Sequence, residues 1–186
     1  MLSSCTTVSE NPLSSPETSR PDPRLVGAWR GTSDTAHDSI LRFSITKGSW
    51  MHVTITEPGK KEKPESYDLF PTVIGRHTFL NVVMTGKDDK GRPTKNYFFI
   101  RYSISSDHEL RMWSMSQDEA ASAIREGKLK GIVKEDKNPL TTRRLSHPDV
   151  DVVLQDTSAN LFRYIQKHDV DDLFDDEMSS SKRVGN

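Results

Sequence analysis

The chain has 186 residues, 33% of them hydrophobic, and a net charge of −1, which allows one domain of ordinary size with additional terminal segments. A charge so close to zero does not indicate nucleic acid as a partner, and no apolar run approaches the ~18 residues that span a bilayer. The single cysteine excludes an internal disulfide.

That cysteine lies in Leu2-Ser3-Ser4-Cys5, an aliphatic residue and two small residues before a thiol. The string resembles the lipobox of bacterial lipoproteins, in which the cysteine is diacylated. The resemblance implies lipidation of Cys5, anchoring in a lipid bilayer, and a place in the cell envelope. Thr6 stands where Asp commonly retains such proteins at the inner membrane, which implies the periplasmic side of the outer membrane. A cytosolic protein with a chance match is the alternative, since only four residues precede Cys5.

Residues 1–23 consist of this lipobox-like string followed by a segment rich in Ser, Thr and Pro. Val8 and Leu13 are its only large apolar residues after Cys5, too few to bury the surface that an ordered segment needs. We therefore predict a disordered tether, with a frayed terminus as the alternative.

From residue 24 the pattern changes to short segments that alternate apolar and polar residues between turn residues. Leu41, Phe43 and Ile45 share one face, and the chain returns after Gly48-Ser49 with the same period of two. This alternation predicts strands at 24–32, 39–47, 50–57, 66–70, 78–85, 96–105 and 108–115.

The later part of the chain mixes strands with helices. We predict a helix at 117–126, two closing strands at 129–134 and 151–155, and a second helix after Asp156-Thr157-Ser158. Residues 169–177 add one turn, and residues 178–186 are predicted to be a disordered tail. The sequence thus predicts a single domain over 24–177, mainly β, built as a small antiparallel β-barrel with one or two short helices late in the chain. A two-sheet sandwich is the alternative.

The first strand contains Gly27-Ala28-Trp29, which resembles the Gly-x-Trp of the first strand in lipocalins and other calycins. The resemblance implies a meander barrel in which Trp29 closes one end beneath an arginine from a late strand, either Arg101 or Arg111. It also implies that a small apolar ligand binds inside the barrel.

We expect the apolar side chains of the predicted strands to pack in the core, and they line a ligand site only if the barrel is hollow. Several methionines favour an adaptable interior, because the flexible thioether fills irregular space. The residues predicted to line such a space are Phe43, Met51, Val53, Phe98, Ile100, Tyr102 and Met112.

Motifs for catalysis or cofactor binding are not found in the sequence. It has no phosphate-binding loop, no nucleophile elbow and no paired histidines at metal-ligand spacing, so we expect no catalytic residues, no metal and no cofactor. His52 and His77 would be the only candidates for a haem ligand inside a barrel. The acidic stretch 169–177 lacks the glycine and glutamate of a calcium-binding EF-hand and favours a solvated helix face.

We therefore expect a non-enzymatic, lipid-anchored envelope protein that binds a small apolar ligand or a partner protein. The alternatives are an inhibitor or immunity-type protein that blocks a toxic enzyme, and an enzyme of a class without local sequence signatures.

Overall fold

A computed structural model describes residues 7–32, 39–57, 59, 63–87, 91–135, 150–174 and 176–184. Its strands, in chain order, are β1 (Thr7–Ser9), β2 (Gly27–Gly31), β3 (Ile40–Ile45), β4 (Met51–Thr56), β5 (Glu65–Ile74), β6 (His77–Lys87), β7 (Pro93–Ile104), β8 (Glu109–Ser114), β9 (Gly131–Glu135), β10 (Val150–Leu154) and β11 (Asp176–Arg183). Its helices are α1 (Gln117–Arg125), α2 (Ser158–Lys167) and α3 (Val170–Leu173), and a 3₁₀ turn covers Pro16–Thr18.

Eight antiparallel strands close into a barrel, which confirms the predicted fold class. Strands β2 to β8 follow one another as a meander, each paired with the next. The ring is closed by β11, which lies between β8 and β2. Closure leaves no strand of this ring with an unpaired edge along its whole length, which is what makes a small barrel stable in water.

Alternation along the strands divides the barrel wall into an inner and an outer face. The inner side chains form a barrel core that includes Leu41, Phe43, Leu80, Phe98 and Met112, all less than one-tenth exposed. These are the positions that the period of two assigned to one face, because successive side chains of a strand point to opposite sides.

The predicted closing strands 129–134 and 151–155 do not close the barrel, so this part of the prediction was wrong. Instead β9 and β10 pair with each other, and β10 pairs in parallel with β1, which joins the first half of β7. The long strand β7 thus borders β8 along its second half and this three-stranded extension along its first half.

The extension and the helices form a second core on the outside of the barrel. Phe70, Phe79 and Phe99 project outward from β5, β6 and β7 and are buried beneath Phe174 and the apolar faces of the helices. The Phe79 and Phe174 rings lie 5.1 Å apart between centroids. The helices therefore cover one side of the barrel and do not contribute to the core inside it.

The predicted disordered tether at residues 1–23 is corrected from Thr7 onward. Leu13 is 1% exposed, and its backbone N–H donates to Asn81 Oδ1 at 2.7 Å. Ser14 Oγ lies 2.6 Å from Thr72 Oγ1 on β5. The pairing of β1 with β7 and β10, one apolar anchor and these hydrogen bonds to the barrel wall order a segment whose composition alone would leave it unfolded.

The predicted disordered tail at 178–186 is corrected for Met178–Arg183, which belong to β11. Apart from Met178, the residues of this segment that are buried or line the cavity are serines, so the segment has no apolar alternation to reveal it as a strand. Its order comes from hydrogen bonding to a strand on each side, which the sequence does not display.

Candidate functional site

The barrel interior contains a cavity of about 230 Å³. Its wall is built mainly from inward-facing aliphatic, aromatic and methionine side chains of β3 to β8 and β11, and it extends to Glu57 and Glu65, at the end of the barrel where β4 ends and β5 begins. The lining residues are Ser39, Leu41, Phe43, Val53, Ile55, Glu57, Glu65, Tyr67, Leu69, Leu80, Val82, Met84, Phe98, Ile100, Met112, Met178 and Ser179.

Five of the seven residues predicted to line a ligand space lie in this wall, namely Phe43, Val53, Phe98, Ile100 and Met112. The other two, Met51 and Tyr102, belong to the same barrel core without lining the cavity. Met51 is fully buried, and the Tyr102 hydroxyl donates to Asp22 Oδ2 at 2.8 Å. Burial together with this hydrogen bond to Asp22 raises the pKa of Tyr102.

Trp29 lies in the middle of β2, fully buried in the barrel core and outside the cavity lining. Its indole Nε1 donates to the Leu25 carbonyl at 2.7 Å. The guanidinium of Arg183 lies over its ring, 4.4 Å from the centroid, and donates to the Val26 carbonyl at 2.9 Å. A cation over the face of tryptophan is attracted by the ring quadrupole, so this contact stabilises the pairing of β11 with β2.

The glycine of Gly27-Ala28-Trp29 is required by this contact. Gly27 has a φ of +123°, which side chains rarely adopt, and a Cβ there would lie 3.2 Å from the Arg183 guanidinium. The spacing of glycine and tryptophan is thus explained by the arginine that approaches both of them.

Neither arginine predicted to cover Trp29 does so. Arg101 lies over Trp113 at 4.7 Å and pairs with Asp171, whereas Arg111 pairs with Glu109 at 3.1 Å. The prediction was wrong because Arg183 lies in the segment that was predicted to be a disordered tail.

The mouth of the cavity carries its polar groups. Tyr67 donates its hydroxyl to Glu65 Oε2 at 2.9 Å. Burial, together with this hydrogen bond, raises the pKa of Tyr67 to about 12, so the phenol keeps its proton. On the opposite wall, Ser179 Oγ is buried and has no hydrogen-bond partner among the described residues.

Several wall residues were not singled out from the sequence. Leu41 and Ile55 share the face of the predicted residues, but alternation does not tell how deep in the barrel a position lies. Leu80 and Val82 share one face of the predicted strand 78–85, but Phe79 and Val83 make the other face largely apolar as well, so the sequence does not tell which face points into the barrel. Met178 could not be assigned, since the strand that carries it was not predicted.

The described histidines and acidic residues do not assemble a metal site: no group of three potential ligands occurs among them. His52 lies on the outer face, where its Nδ1 is 2.9 Å from Asp68 Oδ1. His77 is next to Arg76, and burial followed by the charges of Arg101 and Arg76 lowers its pKa. The acidic stretch begins with α3, which Asp169 caps by accepting from the Asp171 backbone N–H.

Cys5 lies outside the described residues, so the lipidation prediction is not tested. Within the described part of the chain, none of the helices combines the length and hydropathy of a membrane crossing.

Comparisons with known protein families, curated proteins and solved structures found no match. The closed antiparallel barrel with few helices is consistent with a calycin-like architecture.

Proposed function

We propose that the protein binds a small apolar ligand inside its barrel and does not transform it chemically. The observation that carries this proposal is an apolar cavity of about 230 Å³ whose lining reaches one end of the barrel. An apolar space of this kind holds water poorly, and an engineered cavity of ~150 Å³ is enough to take up benzene. Each Å² of apolar surface that a ligand buries there contributes roughly 25 cal/mol.

A ligand without any head group tests this proposal most directly. We expect toluene to bind in the cavity and to shift the methyl signals of Met84 and Met112, which line it, in spectra of the methionine-labelled protein. Met115 lies in the second core and serves as the internal reference.

A filled cavity should abolish that response. Val82→Phe places a ring inside the barrel, and we expect it to weaken toluene binding at least about tenfold because it occupies the space that the ligand needs. Val73→Phe makes the same change on an outer face, at a position that is 64% exposed, and should leave binding unchanged. Equal affinity for the two variants, or no methyl shifts with the wild-type protein, would contradict the proposal.

Membrane anchoring through Cys5 is a second part of the proposal, supported by the lipobox resemblance and by a described domain that contains no other cysteine. Since β1 begins at Thr7, an acylated Cys5 would lie at most about 7 Å along the chain from the folded domain. The domain would therefore sit at the bilayer surface of the cell envelope, on the periplasmic side of the outer membrane. Cys5→Ser in the full precursor should release the protein into the soluble fraction, and sedimentation with membranes would contradict the anchor.

A further inference from the structure

Ser179 on β11 places a hydroxyl group in the wall of the cavity. Its Oγ is buried and has no hydrogen-bond partner among the described residues. A buried hydroxyl without a partner is costly, because it has given up its hydrogen bonds with water and gained none in return. This hydroxyl therefore adds nothing to the stability of the barrel, and it gains a partner when a ligand with a polar group enters the cavity.

The geometry of β11 turns this hydroxyl toward the cavity. In the pairing with β8, Glu177 pairs with Trp113 and Ser179 pairs with Met112, so Met178 is an additional residue in β11. Such a bulge changes the direction of the side chains around it, and here Met178 and Ser179 both line the cavity, as does Met112. The side chains next to Ser179 are thus thioethers, which are weak hydrogen-bond acceptors.

The hydroxyl of Tyr67 in the same wall differs from that of Ser179. It already donates to Glu65 Oε2 at 2.9 Å, whereas the serine hydroxyl can rotate to donate or to accept. A hydroxyl group of a ligand therefore finds both a donor and an acceptor in Ser179.

The volume of the cavity limits the size of the ligand. At about 230 Å³ the cavity is larger than the ~150 Å³ that accommodates benzene, and it is smaller than the ~300 to 1,000 Å³ of sites for drug-sized molecules. A single ring with one small substituent fits this space.

We propose that the ligand of the cavity is a small apolar molecule with one uncharged hydroxyl group, an alcohol or a phenol, and that Ser179 selects it by hydrogen bonding to that group. The hydrocarbon part lies among the aliphatic, aromatic and methionine side chains of the wall. This inference rests on the proposed function, since it names the ligand class of the same cavity.

Toluene and phenol test the inference, because they have nearly the same shape and differ in a methyl and a hydroxyl group. Both are titrated by calorimetry near pH 7, where phenol is uncharged, and the methyl signals of Met84 and Met112 show whether they lie in the cavity. In Ser179→Ala we expect phenol to bind about threefold to tenfold more weakly than in the wild type, because it loses a hydrogen bond, and toluene to bind within about twofold of the wild type.

Ser181→Ala is the matched control. Ser181 lies two residues further along β11 and is also fully buried with an unpaired hydroxyl, but it does not line the cavity. We expect its substitution to leave the affinities for both ligands unchanged. An unchanged phenol affinity in Ser179→Ala, or an equal loss of affinity for phenol and toluene, would overturn the inference. Failure of toluene to bind to the wild type would instead contradict the proposed function, so the two failures are distinguishable.

Two further measurements separate ligand binding from other roles of these hydroxyls. Because Ser179 Oγ has no partner in the protein, Ser179→Ala should not lower the midpoint of urea unfolding. A lower midpoint would show that the hydroxyl has a structural role and would overturn the inference. Tyr67→Phe should change the phenol affinity less than Ser179→Ala does, and a larger loss in Tyr67→Phe would overturn the placement of the ligand hydroxyl at β11.

Discussion

The barrel interior and the second core lie on opposite faces of the same strands, yet they are packed differently. On β7, Phe98 points into the barrel core, while its neighbours Tyr97 and Phe99 point into the second core. The interior contains a cavity of about 230 Å³, whereas the outer face is covered by helices and by rings such as Phe174, which is 1% exposed.

This difference shows how a small barrel can remain hollow. Empty apolar space costs stability because the side chains around it lose contacts with neighbours. Here the outer faces of β5, β6 and β7 bury a further set of large apolar side chains beneath α1, α2 and α3. We infer that the second core offsets the stability that the cavity in the barrel core costs.

The largest effect should follow from removing β11. A chain that ends after Phe174 lacks the strand between β8 and β2, so both lose a neighbour and Trp29 loses the arginine over its ring. We expect the barrel to lose most of the ~5–15 kcal/mol typical of a folded domain, measured as loss of a cooperative urea transition. A chain that ends after Val184 keeps all of β11 and is the control. If the shorter chain unfolds as cooperatively as the control, the second core holds the barrel together without closure.

An effect of intermediate size should come from placing a larger side chain in each of the two cores and comparing the loss in free energy of unfolding. Ala123 on α1 is 1% exposed within the second core, so Ala123→Leu should lower the free energy of unfolding by about 1–3 kcal/mol. Val82→Phe adds a larger group inside the barrel but should cost less than about 1 kcal/mol, because the cavity accepts it. Urea unfolding of both variants gives the comparison. Equal costs would mean that the barrel interior is as tightly packed as the second core.

The smallest effect concerns Asp22, which joins the segment before β2 to the closed part of the barrel. Burial alone would raise its pKa, but hydrogen bonds from Arg24 and Tyr102 outweigh burial and hold the pKa below its ordinary value. The side chain is only 11% exposed. Its contribution, roughly 1 kcal/mol, is therefore present above the unfolded-state pKa of about 3.9 and is lost as the pH falls through the lower folded-state pKa.

Asp22→Asn should accordingly be less stable than the wild type near pH 6, and the difference should shrink below about pH 4. Asp107→Asn on an exposed turn is the matched control. Urea unfolding at several pH values measures both. A stability difference for Asp22→Asn that does not change with pH would contradict this role of the ionised carboxylate.

The sequence by itself determined the strands of the meander and which side chains share a face. Leu41, Phe43, Val53 and Phe98 were assigned to inner faces correctly, because a strand that is buried on one side must alternate apolar and polar residues. Gly27-Ala28-Trp29 also indicated the strand that carries the buried tryptophan, although the arginine above it was assigned wrongly.

Only the tertiary structure decided which strand closes the barrel, what covers its outside and where space remains within it. Ser179 and Ser181 belong to a strand only because β8 and β2 lie on either side, and Leu13 orders its segment only because the second core receives it. Pairing and burial between distant parts of the chain leave no local period in the residues concerned. A cavity is likewise a property of how all the side chains of the wall meet, so the same apolar faces would describe a filled barrel as well as a hollow one.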